Sequence, residues 1–329
     1  MKKRVLIMVL AVVTALGMCI SMTGCGGEEG DGGTAKITIV QQYGMAYAPF
    51  QIMEHKGLVE AAYEEATGKT VEVEYAQLGS GGTINDSFAS GDVQVGAMGV
   101  APAITGVMSG AGYKIFSNVS AQPHKIMTSN PDAKSLKDIG KDQIALVNIG
   151  SIQHILLAMA CEAEMGDAHA MDNNIAAMAH PDGMAALING TVKYQLTTSP
   201  YVYKEADQGM KELEAIGAVW PEGNSFIVAV ASQELYDDNP ELYQAVVDSL
   251  AEAIDYINNN KEEVAELLCE AEDVSAETML KWLNDPACSY STELKGVMTM
   301  AEFMDENGFL EVDGPESISD LAFDNVKGE

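Results

Sequence analysis

From residue 36 onward, short β-branched runs take turns with helix-length segments, and glycine marks the joints between them. Lys36-Ile37-Thr38-Ile39-Val40 alternates as a half-buried strand should. The loop Gln41 to Tyr47 follows, then a helix with Pro49 in its first turn that runs to His55 or Lys56 and stops at Gly57. A second helix is expected over about 59–67 and a strand over 71–75. Leu78-Gly79-Ser80-Gly81-Gly82-Thr83 then opens a helix ending at Ser90-Gly91, 93–95 is a short strand, and Gly99-Val100-Ala101-Pro102 opens a helix closing near Gly110. Further strand is expected from Tyr113 onward. Elements taken in turn through short links leave little besides an α/β fold with largely parallel pairing.

The rhythm restarts near His124. Ser135 to Gly140 reads as a turn, Gln143 to Asn148 as a buried strand, and Gly150-Ser151 opens a helix from Ile152 to about Met165 with Gly166 behind it. Another helix covers Pro181 to Asn189, followed by strand over 191–197 and then Ser199-Pro200-Tyr201. Ala89-Ser90-Gly91-Asp92-Val93 and Ile188-Asn189-Gly190-Thr191-Val192 share one design of helix end, glycine stop and strand, which suggests two similarly built lobes. After a strand from Phe226 to Ala231 the chain reads as helical to its end. Asn239 caps a long helix with Pro240 at its first position, and Leu242, Val246, Leu250, Ile254 and Ile257 form one apolar stripe. Val264, Leu267 and Leu268 continue the pattern, and Ser275 caps a helix through Met279 and Leu283.

The first 24 residues obey different rules. Lys2, Lys3 and Arg4 precede an uncharged, mostly apolar run from Val5 to Ile20, too short for a settled transmembrane helix and fitting a secretory leader. Met22-Thr23-Gly24-Cys25 resembles a bacterial lipobox, with Met22 where leucine is usual, so Cys25 is expected to be acylated after cleavage. Residues 25–34 are glycine-rich and polar, a flexible tether. The expected product is extracytoplasmic and lipid-anchored to the bacterial cell membrane through Cys25.

Charge narrows the partners. The chain has 18 basic against 49 acidic residues; without the three basic residues of the leader, 15 remain and the net charge is −34. That surface excludes nucleic acid and repels anionic headgroups, so membrane attachment falls to the lipid. Arg4 is the only arginine, so no guanidinium clamp exists in the mature protein, and an anionic ligand must rely on backbone N–H groups, hydroxyls or lysine. Cys161, Cys269 and Cys288 are read as packed thiols, with a Cys269–Cys288 pairing left open. No metal-ligand spacing is present, and no metal or cofactor is expected.

Several of these segments together resemble the substrate-binding proteins of ABC importers, in the branch handling nitrate, alkanesulfonates, taurine and thiamine pyrimidine precursors. The resemblance is carried by Tyr47-Ala48-Pro49-Phe50 with Gly57-Leu58-Val59-Glu60, by Phe88-Ala89-Ser90-Gly91-Asp92-Val93 with Gly96 and Gly99, and by Ser135-Leu136-Lys137-Asp138-Ile139 with Gly150-Ser151. Met184 to Gly190, Asn239-Pro240 and Asn307-Gly308-Phe309-Leu310 complete it. It implies a two-lobed periplasmic-binding-protein type II fold, with mixed, mostly parallel sheets, helices on both faces and a ligand cleft between lobes. Lobe one would be 35–125 plus 225–329 and lobe two 126–224. It also implies a monomeric solute receptor, not an enzyme, that closes on a small organic solute and delivers it to a permease with its ATPase. Val192-Lys193-Tyr194 departs from the usual Val-Asp-Ala, so no particular solute transfers.

Independently of that resemblance, strand-to-helix loops are where open α/β sheets bind ligands. The helix starts at Ser80-Gly81-Gly82-Thr83, Val100-Ala101 and Gly150-Ser151 expose amides suited to an anion, although both serines also read as plain N-caps. Gln42, Tyr43 and Tyr47 in the first loop, and His124 and Tyr201 toward the hinge side, complete the candidate site; His154 one turn after Ser151 reads as structural. Two other classes stay open: an enzyme like the pyrimidine-precursor synthases, which share the fold, and a lipoprotein with a structural role.

Overall fold

The computed structural model describes residues 35–328, so the leader, Cys25 and the tether lie outside the described residues. The described residues form one compact unit.

The first run of elements is β1 (Ala35–Gln41), α1 (Ala48–Lys56), α2 (Leu58–Thr67), β2 (Val71–Gln77), α3 (Gly81–Ala89), β3 (Val95–Gly99), α4 (Val100–Met108) and β4 (Tyr113–Ala121). Gln122-Pro123 leads to the second run: β5 (His124–Thr128), β6 (Ile144–Leu146), α5 (Ile152–Met165), β7 (Ile175–Ala177), α6 (His180–Ile188), β8 (Tyr194–Thr198), α7 (Tyr201–Asp207) and β9 (Lys211–Leu213). Residues 214–226 return the chain to β10 (Ile227–Ser232), α8 (Gln233–Asp238), α9 (Pro240–Asn259), α10 (Lys261–Leu268), α11 (Ala276–Leu283), β11 (Ser289–Tyr290) and α12 (Val297–Glu306). The last forty residues are thus not helical throughout; β11 adds an edge strand, and Glu293–Leu294 pairs in parallel with Lys327–Gly328.

Besides that short pair, the described residues form two larger sheets, ordered β11-β4-β10-β3-β1-β2 and β7-β6-β8-β5-β9. Each contains one reversed internal strand. β10 runs antiparallel to both β3 and β4, and β5 antiparallel to both β8 and β9. The mostly parallel character therefore holds for strand direction. Around β10 and β5, however, the ladders are antiparallel, because these are the strands entered from the two crossovers.

Local chemistry explains the joints. Gly91 and Gly190 both take left-handed φ near +80°, which only glycine adopts without penalty. The next residue folds back in the same way at both: Asp92 N–H donates to Ser87 O, and Thr191 N–H to Ala186 O, each about 3 Å. The repeated sequence design is therefore a repeated backbone turn, joining α3 to β3 and α6 to β8. Helix α9 starts where Asn239 accepts from Leu242 N–H at 3.2 Å. Its five-residue stripe is almost completely buried, and the helix packs on α1 and α2. Burying each such side chain is worth about 1.5–3 kcal/mol.

Cys269 and Cys288 are not paired. All three described cysteines are free thiols; Cys161 and Cys288 are buried, while Cys269 is half-buried and donates to Glu266 O at 3.4 Å. Among the described residues no helix is long and apolar enough to cross a membrane.

Candidate functional site

Between the two sheets, the ends of β1, β2, β3, β6 and β8 and the starts of α3, α4, α5 and α6 surround a hollow. Gln42, Tyr43 and Tyr47 enter from the loop after β1, Gly81 from the start of α3, and Gly99 and Pro102 from the start of α4. Ser151, Ile152 and Gln153 face them from α5, with His180 at the first position of α6 and Thr198 at the end of β8. The cavity measures about 20 Å³, room for a single water molecule. The residues on its two sides are in close contact: a Cβ at Gly99 would lie 2.8 Å from Ile152 Cγ2.

Four helix N-termini reach this hollow, and each leaves first-turn N–H groups without an intrahelical acceptor. None of the lining residues is Asp, Glu or Lys. Both candidate serines do act as caps. Ser80 Oγ accepts from Thr83 N–H and Ser151 Oγ from His154 N–H, both at 3.2 Å. Any anion-holding capacity therefore belongs to the amides beyond them, such as those of Gly81, Gly82, Ile152 and Gln153.

The other expected residues divide. Gln42, Tyr43, Tyr47, Gly81 and Ser151 line the cavity. Ser80 and Thr83 bond each other at 3.0 Å, and a Cβ on Gly82 would lie 3.9 Å from Asn148 Nδ2. Val100 and Ala101 are buried outside the lining, and Val100 N–H donates to Phe226 O at 3.0 Å, so that amide is spent. Pro102 has no N–H, and its ring stands where a side chain at Gly81 would go. Gly150 N–H donates to His154 Nδ1 at 3.0 Å, so Nε2 carries the proton toward Asp172 Oδ1 at 3.2 Å; His154 is an internal brace. His124 lies behind the cavity wall, its ring 4.2 Å from that of Phe226, with burial and then the His180 charge pushing its pKa down to about 3. It borders a separate hollow of about 160 Å³ at the crossovers. Tyr201 stands outside the wall with its ring 5.4 Å from His180 and, with Tyr43, borders an outer groove of about 660 Å³. Lys193 points away and pairs with Asp142 at 2.8 Å.

Sequence reasoning missed Gln153, His180, Thr198 and Phe226. His180 is 8% exposed, with Nδ1 3.2 Å from Thr197 Oγ1 and Nε2 3.2 Å from Gln153 Nε2; burial lowers its pKa to about 4, so the ring is neutral at pH 7. One signal was available: the paired turns at Gly91 and Gly190 make α6 the counterpart of α3, and so point to His180-Pro181 as the counterpart of Gly81-Gly82. Tyr47 is buried, and desolvation raises its pKa well above the ordinary phenol value, leaving a neutral donor at the wall.

Two mixed α/β sheets joined by two crossovers, with helix starts converging on the space between, define the architecture of periplasmic solute-binding proteins. The chain belongs to the NMT1-like family, whose sequence profile matches residues 34–271. Its fold is similar to that of the alkanesulfonate-binding protein SsuA of Xanthomonas axonopodis pv. citri, solved with bound MOPS, at TM-score 0.71 and 16% identity over 86% of this chain and 96% of that one. The aliphatic sulphonate-binding SsuA of Escherichia coli matches at 0.67 and 18% over 90% and 94%. The nitrate-binding NrtA of Synechocystis PCC 6803 matches at 0.61 and 16% over 75% and 69%. No protein of curated function matches the sequence.

Proposed function

We propose that the protein is the solute-binding component of an ABC importer, capturing a small anionic or heteroaromatic solute between its halves and presenting it to a membrane permease. The observation carrying this reading is the meeting of four helix N-termini at a cavity lined by no charged side chain. Each terminus favours an anion by about 0.3–1 kcal/mol when exposed, and by up to about 2 kcal/mol when enclosed. Together they can replace the arginine that the mature chain lacks. The two crossovers act as the hinge between lobes of about 35–125 plus 225–329 and 126–224. A cavity of about 20 Å³ then represents the shut form, which must part to admit a solute. Leader removal and acylation of Cys25 would hold this strongly acidic domain at the outer face of the cell membrane.

Thermal shift and calorimetry against alkanesulfonates, nitrate and pyrimidine vitamin precursors test the binding role, because a solute that binds only folded protein raises Tm. Turnover of a pyrimidine precursor by the purified protein would instead support the enzymatic class. If every small solute leaves Tm unchanged, the receptor reading is refuted. For the anchor, Cys25→Ser should move the protein from the membrane fraction to the soluble one.

A further inference from the structure

Gln153 and His180 meet nitrogen to nitrogen, Nε2 to Nε2 at 3.2 Å. In this orientation of the Gln153 amide its nitrogen donates, and the ring nitrogen it meets accepts and is unprotonated. The proton of the neutral ring is then on Nδ1, facing Thr197 Oγ1 at 3.2 Å. Thr197 is fully buried, Gln153 is 3% exposed, and the ring is backed by Tyr201, so the arrangement has little freedom. With its nitrogen committed to the ring, Gln153 has only Oε1 to offer the cavity, and that oxygen has no partner among the described residues. Thr198 Oγ1, on the same wall, is buried and, like that oxygen, without a partner among the described residues. Gln153, His180, Thr197 and Thr198 all belong to the 124–213 half, so the subsite exists whether or not the halves have parted.

We propose that His180, held by Thr197, fixes the Gln153 amide with its oxygen toward the cavity, so that the cleft selects solutes bearing an N–H or O–H donor beside their acidic end. The solute half of this inference rests on the receptor role proposed above. His180 is a positioning residue, and Gln153 is the group that reads the solute. The neutral ring that the arrangement needs is maintained down to the low pKa that burial imposes on His180. A solute lacking the donor leaves a buried acceptor unmet in a shut cleft, the kind of mismatch that protein sites reject strongly.

Two measurements decide it. Nitrogen NMR of ¹⁵N-histidine-labelled protein at pH 7 should show His180 protonated at Nδ1 and bare at Nε2; the opposite tautomer overturns the proposal. Calorimetry with isethionate and its near-isostere 1-propanesulfonate, which exchanges the hydroxyl for a methyl, should favour isethionate by at least about tenfold. Gln153→Met should fold and lose that preference. Equal affinities in the native protein overturn the selectivity while leaving the receptor role intact. If neither sulfonate binds, the sulfonate-receptor role and the solute preference fall together, and the ring assignment stands or falls on its own spectrum.

Discussion

Gly99 is the position where closure can be tested with one methyl group. It ends β3 in one half and faces Ile152, at the start of α5, in the other. An added Cβ would lie 2.8 Å from Ile152 Cγ2 and 3.0 Å from its Cβ, whereas carbon atoms pack best at about 3.5–4.0 Å. The contacted side chain is β-branched and stiff at χ1, so it cannot swing aside. Gly99 has φ −58° and ψ 150°, which alanine adopts freely, so neither half is strained when the two are apart. Overpacking of this kind costs about 1–3 kcal/mol. Falling on a solute-bound form that keeps this contact, and not on the parted form, that becomes roughly a 5- to 150-fold loss of solute affinity. Gly99→Ala should therefore bind weakly in calorimetry and keep the larger radius of gyration of the parted form in solution scattering with solute present. Ile152→Ala removes Cγ2 and should restore part of the affinity in the double variant. Native affinity and native compaction in Gly99→Ala would refute the reasoning.

Other expectations follow from single groups. His169 places Nδ1 2.8 Å from Asp172 Oδ2 and Nε2 2.9 Å from Asn307 O, two pure acceptors that together require the protonated ring. Its pKa is raised by the Asn307 carbonyl and then by Asp172, so its contribution is complete below about pH 6.5 and fades as pH rises through the raised value. Because the ring is about half exposed, the effect should stay below about 1 kcal/mol, read as a difference in pH-dependent Tm between native protein and His169→Ala. Glu205 is completely buried with neither oxygen bonded among the described residues, and burial raises its pKa to about 8. The folded state holds that proton more tightly, so stability should fall as pH climbs from the ordinary carboxyl range to 8 and then level off. Each unit of pKa elevation contributes about 1.4 kcal/mol to this fall, and Glu205→Gln should flatten the slope in denaturant titrations. Reducing agent should leave Tm unchanged, since the described cysteines are already thiols.

Elements with a strong local signature were legible in the sequence. The alternation at β1, the Asn239-Pro240 cap with its stripe, and the two glycine stops each combine a side-chain pattern with a backbone requirement. Strands 175–177 and 211–213 are three residues long, too short for a period to show, and α7 hides behind the turn chemistry of Ser199-Pro200. Strand direction was not legible for β5 and β10, because a buried apolar run looks the same in either orientation. In the site, strand-end loops were found because their glycines mark them. Gln153 and His180 were not, since they lie 27 residues apart and meet only when β6 and β7 pair side by side. Val100 fails as an anion donor for a similarly distant reason: its N–H is taken by Phe226, more than a hundred residues later.

Strand β10 sits between β3 and β4 in the first sheet, yet it lies in the chain after the whole of the second. Until residues 227–232 have emerged, β4 has no neighbour to tie it to β3, and the earlier strands form an open-sided fragment. The second sheet faces no such delay, since all five of its strands are consecutive. Sheet assembly is thus staggered: the second sheet has all its strands in hand early, while the first waits for the final third of the polypeptide to thread its missing middle.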